Sequence, residues 1–191
     1  MSAEAVQKAQ WKPAPVILTY DDYLKLPNDG KQYQIISGIL HMSPAPTTIH
    51  QRISRELLLI LQPYVHRHRL GEILPAPCDV ILARSDIVQP DLVYVRQDRL
   101  GMIREKGIFG PPDLAVEILS PSTQEMDLRE KLQLYAIYGV PHYWIVDPTA
   151  KTLMEYILQI NVYSLCASHT GRFTPQIFPE LTLDLSQVWP T

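Results

Sequence analysis

The stretch DLAVEILSPSTQEMDLREKLQLYAIYGVPHYWIVD, residues 113–147, decides the fold. Apart from Asp113 and Glu117 its first seven residues are apolar, dense enough for a central strand buried on both faces. The SPST loop follows, with Ser122 or Thr123 as cap of a helix expected over 124–138. Gly139 is placed to end that helix, and HYWIVD (142–147) is a β-prone run stopped by Pro148. Strand, helix and strand in this order make a crossover between parallel strands, so the class is α/β.

Outward from this unit, three strands are expected over 71–74, 78–83 and 92–95, with bends at ARSD and QPD, and they suggest a meander. Over 47–69 the residues Ile49, Ile53, Leu57, Ile60, Leu61 and Tyr64 recur at three- and four-residue spacing, the mark of a long amphipathic helix, with a kink expected at Pro63. Thr19, Asp21 and Asp22 open a short helix that stops at Pro27, and 33–37 and 39–42 read as extended segments around Gly38. The tail from 152 to 182 resembles antiparallel strands with a turn at 158–161, followed by a short DLSQV turn.

At 191 residues the chain fits one domain over 19–191 behind an arm at 1–18. A net charge of -3 argues against a protein that coats nucleic acid non-specifically, which needs many Lys and Arg, though it leaves room for a local basic groove. Cys78 and Cys166 are too few for a zinc cluster or a disulfide framework and read as buried thiols of a reducing compartment. The start, MSAEAVQKAQWKP, lacks the apolar stretch of a secretory signal, and no run of about 18 apolar residues could span a bilayer. A cytoplasmic protein without membrane contact is the expectation. No Gly-rich phosphate loop or Ser/His/Asp signature is visible.

Glu117 is the informative oddity, because a carboxylate inside an apolar strand must be paired, protonated or bound to a metal. It reads either as one end of a structural salt bridge or as a functional acid. Asp91, at the start of the LVYV strand, reads alone as a turn residue or as a second acid. Two carboxylates from neighbouring strands suit magnesium, which takes one or two of them and keeps several waters. Such an ion can polarise a phosphoryl oxygen and activate water. Lys131 follows Asp127 by four residues, which makes the two either a surface ion pair or, with Lys131 folded back towards the acids, part of the same site. His50, Arg52 and Arg55 read as a solvated helix face or as phosphate contacts, and His66, Arg67, His68 and Arg69 as cations favoured at a helix end. His142 and Tyr143 beside Trp144 read as packing.

The segments SPAP(x)3HQRIS (43–54), VQPDLVYV (88–95), PPDLAVEILSPST (111–123), D(x)3K(x)3Y (127–135) and YGVPHYWIVDP (138–148) resemble the Uma-type endonuclease family of the PD-(D/E)XK superfamily. The resemblance covers nearly the whole chain in order. It implies a restriction-endonuclease-like mixed sheet flanked by helices, with an antiparallel C-terminal extension, and a nuclease dependent on Mg2+ or Mn2+. The family's QPD acid falls on Asp91, its strand acid on Glu117 and its lysine on Lys131, while the superfamily's usual lysine position holds Leu119. Where the family reads YELIDGEL this chain reads YQIISGIL, so Gln34, Ser37 and Ile39 are neutral.

The expectation is a metal-dependent DNA endonuclease in which Asp91, Glu117 and the Ile118 carbonyl hold the ion, Lys131 assists the attacking water and Gln34 completes the site. A homodimer is implied by superfamily analogy. The alternative is a catalytically impaired nuclease-fold module acting in binding or self-assembly, motivated by the neutral Gln34, Ser37 and Ile39.

Overall fold

The structure is a computed structural model describing residues 16–190, so most of the arm expected over 1–18 lies outside the described residues. The stretch 113–147 forms as expected: β9 (Leu114–Ile118) and β10 (His142–Asp147) pair in parallel, with Glu117 opposite Ile145. The helix between them carries a π-helical segment, Met126–Lys131, that runs into α3 (Leu132–Ile137). Such wide turns inside helices recur at functional sites because they re-aim side chains.

β9 is central to a six-stranded sheet with order β12-β11-β10-β9-β6-β3, built also from β3 (Gly71–Pro75), β6 (Leu92–Arg96), β11 (Thr152–Gln159) and β12 (Val162–His169). The period of two along β9 divides the core. Leu114, Val116 and Ile118 face one layer with Ile53, Leu57 and Leu61 of α2 (Thr48–Arg67) and with Phe178 and Leu185 of the tail. Ala115 and Leu119 face the other layer, with Leu134, Tyr135 and Tyr143. Each such buried aliphatic or aromatic side chain contributes about 1.5–3 kcal/mol of transfer free energy, and Glu117 stands in the second layer among them.

A second six-stranded sheet has order β2-β1-β5-β4-β8-β7 among the described residues: β1 (Gln32–Ile36), β2 (Ile39–Ser43), β4 (Val80–Ala83), β5 (Asp86–Val88), β7 (Ile103–Arg104) and β8 (Gly107–Phe109). The expected meander is therefore corrected. The strand at 71–75 pairs with β6 in the first sheet, while β4 pairs with β5 and β8 in the second. The short strands β5, β7 and β8 carry no period long enough to read; β5 closes on β4 and β7 on β8 as local hairpins, and the long-range pairings are β1 with β5 and β4 with β8. Ser37 and Gly38 both adopt positive φ (52° and 76°), the two-residue turn that closes β1 onto β2. β11 and β12 form the expected antiparallel hairpin, with Ile160 and Asn161 at positive φ between them.

The short α1 (Tyr20–Tyr23) is shorter than the run to Pro27, and β13 (Arg172–Phe173) pairs with β14 (Leu183–Asp184) in the tail. α2 runs unbroken through Pro63. The proline deprives the Leu59 carbonyl of its helical donor, and Leu59 is exposed, so water can supply the missing bond. The cysteines are free, but the expectation of two buried thiols is corrected: Cys78 is half-buried and Cys166 exposed on the outer strand. Among the described residues no helix is long and apolar enough to cross a membrane.

Candidate active site

Residues from both sheets meet at the carboxyl end of β9. β6 runs antiparallel to β9 with Leu92 opposite Val116, so Asp91, one step further, lies beside Glu117. The carboxylate of Asp91 caps the end of the central strand: its Oδ2 accepts the Ile118 N–H at 2.7 Å. His50, from the first turn of α2, brings Nε2 to 3.0 Å of the same oxygen.

Glu117 is buried, and two groups from the following helix meet its Oε1. Lys131 Nζ lies 2.8 Å away, and the Tyr135 hydroxyl donates to it at 2.9 Å. The same ammonium lies 3.1 Å from Asp127 Oδ1. Lys131 is only 2% exposed and Asp127 is buried with it, so the pair is a buried brace and the surface reading of its i,i+4 spacing is corrected. In a regular α-helix Asp127, Lys131 and Tyr135 would drift around the axis, and here the π-helical segment Met126–Lys131 covers the first two.

The electrostatics follow from burying several charges together. Desolvation, helped by Asp127 and Asp91, pushes the Glu117 carboxyl up to about 8 although Lys131 works against it. Burial opposes the charge of Lys131, but the fields of Glu117 and Asp127 outweigh it and hold the ammonium protonated, its pKa raised. His50 is also raised: burial lowers it, and the Asp91 carboxylate more than compensates. Tyr135 is driven well above an ordinary phenol by burial and by Glu117, so its hydroxyl remains a donor.

Apart from Tyr135, which stands behind Glu117, these groups border a cavity of about 170 Å³ whose walls include Gln34, Gln89, His50, Asp91, Glu117, Asp127 and Lys131. The 43–47 loop and the hydroxyls of Ser120, Ser122 and Thr123 complete its rim. Gln34, on β1, is buried there, and its Oε1 accepts the Gln89 N–H at 3.1 Å. The donor set fits a hydrated divalent cation. Asp91 Oδ2 and Glu117 Oε1 are engaged by protein donors, which leaves Oδ1 and Oε2, and magnesium typically takes one or two carboxylates and retains several waters. No group of three His, Cys, Asp or Glu side chains forms an all-protein cage among the described residues.

The family model for Uma2, described as "Putative restriction endonuclease", matches residues 20–186. The chain belongs to the Uma2 family. Among solved structures it is similar to the crystal structure of a "putative nuclease belonging to DUF820" from Anabaena variabilis, with a TM-score of 0.72 and 20% identity over 90% of this chain and 97% of that one. At that identity the likeness shows the fold, a restriction-endonuclease-like α/β architecture of mixed sheets flanked by helices. No curated protein matches the chain.

In this Uma2 chain all the expected residues, Asp91, Glu117, Ile118, Lys131 and Gln34, border one cavity. Ser37 and Ile39 do not join it: Ser37 N donates to Asp86 Oδ1, and Ile39 faces outward on β2. Two residues were undervalued by sequence reasoning. His50 reads as one of several cations on a polar helix face, and only its place at the first turn of α2 takes it to Asp91. Tyr135 stands four residues after Lys131 in the D(x)3K(x)3Y spacing, and that spacing was the available signal.

Proposed function

We propose that this chain is a metal-dependent endonuclease acting on the phosphodiester bonds of DNA, and that it works as a homodimer. The reading is supported above all by one observation: a buried lysine braced between Glu117 and Asp127, with Asp91 beside Glu117 on the wall of the same cavity. Asp91, Glu117 and the carbonyl of Ile118 would hold Mg2+ or Mn2+. Such an ion, when bound, supplies Lewis-acid polarisation of a phosphoryl oxygen and a lowered pKa for water.

The chain's own groups do the rest. Lys131 stays protonated, so it takes no proton from water; it offers fixed positive charge to the attacked phosphoryl group and holds both carboxylates in place. Tyr135 fixes the rotamer of Glu117, and the Ile118 amide and His50 fix Asp91. Ser120, Ser122 and Thr123 give the rim hydroxyl donors suited to phosphate oxygens. Gln34 adds a neutral amide beside them.

Purified protein with plasmid or single-stranded DNA and Mg2+ or Mn2+ tests this. Cutting that disappears in Glu117→Ala and in EDTA is the expected result; equal cutting by that variant, or none by the wild type, overturns the catalytic claim. One observation favours the rival reading, a binding or self-assembly module: the Gln34 carbonyl oxygen already accepts from Gln89 and brings no charge to an ion. Calorimetry separates the two, because an inert module shows no Mg2+ or Mn2+ heat that vanishes with Asp91→Asn.

A further inference from the structure

The outer strand of a sheet leaves N–H and C=O groups unpaired, and proteins blunt such edges with charge, proline, bulges or a cover. Three of the four outer strands in the two six-stranded sheets are blunted. β7 holds Arg104 and leads into Glu105 and Lys106, β2 runs directly into Pro44 and Pro46, and β3 carries Glu72 and ends at Pro75. A proline has no N–H to donate, so those two edges cannot be extended at that end.

Among the described residues β12 lacks every such device over its first half. No residue from Tyr156 to Ser168 is charged or proline. Val162 and Leu165 are 65% and 52% exposed, and Ile160 at the hairpin tip is 97% exposed. α3 packs against β12, where the Tyr163 hydroxyl donates to the Val140 carbonyl at 2.7 Å. The register against β11 slips beyond the Tyr156 and Leu165 pair, so Cys166 bulges and 162–165 remains a regular edge.

We propose that β12 is the surface through which two copies of this chain join, antiparallel about a two-fold axis at Ser164, so that the sheet runs on from one protomer into its partner. A second copy is the occupant that fits. A strand paired with itself about a two-fold presents complementary N–H and C=O groups automatically, with Tyr163 opposite the partner's Leu165 on one face. Two chains of net charge -3 also repel, and the uncharged run 156–168 is where that repulsion is least. The proposal rests on the dimeric part of the reading above and not on its chemistry.

Sedimentation equilibrium of the full chain tests it. The wild type should weigh twice the 21.8 kDa of one chain, and Val162→Lys with Leu165→Lys should halve that mass while the far-ultraviolet circular dichroism stays that of the folded chain. In a Cys78→Ser, Cys166→Ser background, Ser164→Cys should close an intermolecular disulfide on mild oxidation, because residues at such an axis meet with Cα atoms about 5 Å apart. Met42→Cys on the β2 edge should not. A monomeric wild type overturns both the dimer and the surface. A dimer that survives the two lysines, or that cross-links through Met42→Cys and not Ser164→Cys, overturns the surface alone. If the lysine variant fails to fold, the cross-link decides.

Discussion

Lys131→Met removes the one ammonium held between two buried carboxylates while keeping a side chain of similar length. Breaking a buried ion pair by deleting one partner costs about 3–5 kcal/mol, because the charge left behind has neither water nor a counter-ion. Lys131 and Glu117 are both almost wholly inaccessible, so solvent screening does not discount that figure. A domain of this size loses about 2–4 °C of melting temperature per kcal/mol, so the variant should melt on the order of 10 °C lower. The loss has a sign in pH. Without the ammonium Glu117 binds a proton more readily, so the deficit is greatest near pH ~8.5 and shrinks towards pH ~5, where Glu117 is neutralised. Adding Glu117→Gln removes one stranded charge and keeps an acceptor for Tyr135, so Lys131→Met with Glu117→Gln should recover more than half of the deficit. Scanning calorimetry in EDTA at the two pH values reads all of this without reference to catalysis. A single variant that melts within about 2 °C of the wild type near pH ~8.5, or a double variant no more stable than the single, refutes the buried brace.

The remaining predictions use the same groups. Glu117 titrates at about 8 in the folded chain, far above its unfolded value of 4.5, so its contribution is whole below that unfolded value and is lost as pH rises through about 8. Lys131, raised in the folded chain, is protonated in both states across that window and adds no slope. Wild-type stability should therefore fall between pH ~5 and ~8.5 by a few kcal/mol, and Glu117→Gln should flatten the curve; parallel urea titrations at each pH check it, and equal slopes contradict it. Tyr135→Phe deletes the hydroxyl donated to Glu117 and should cost about 1–3 kcal/mol in urea unfolding with an unchanged m-value. Asp91→Asn keeps an oxygen for the Ile118 amide, so it should abolish Mg2+ or Mn2+ binding by calorimetry yet change stability by about 1 kcal/mol or less. Loss of folding in that variant would show that the aspartate is structural.

The neutral Gln34, Ser37 and Ile39 separate into three different situations. Gln34 stays buried on the cavity wall, and Ser37 occupies a turn whose N–H is held by Asp86. Ile39 is exposed on the β2 edge. Only the first of these neutral positions borders the cavity, so the proposed cation would draw its countercharge there from Asp91 and Glu117.

Local pattern alone determined the β9, helix and β10 unit, the long helix over 48–67 and the hairpin at 152–169, since each is written in short-range periodicity or turn chemistry that needs no distant partner. The acid at 117 was legible for the same reason: it breaks an apolar run, and a buried charge demands a partner wherever the chain goes. Which partner it finds was a tertiary decision. The i,i+4 spacing of Asp127 and Lys131 is the same on a wet surface and in a dry core, and only the packing of that helix against β9 turned it into a brace for Glu117. The separation of β3 and β6 from β4 and β5 into two sheets, set by the pairings of β1 with β5 and of β4 with β8, and the reach of His50 to Asp91 likewise depend on residues far apart along the chain. Their free energy comes from hydrogen-bonded edges and a shared core that outweigh the entropic cost of closing long loops, a property of the assembled fold that no window of sequence contains.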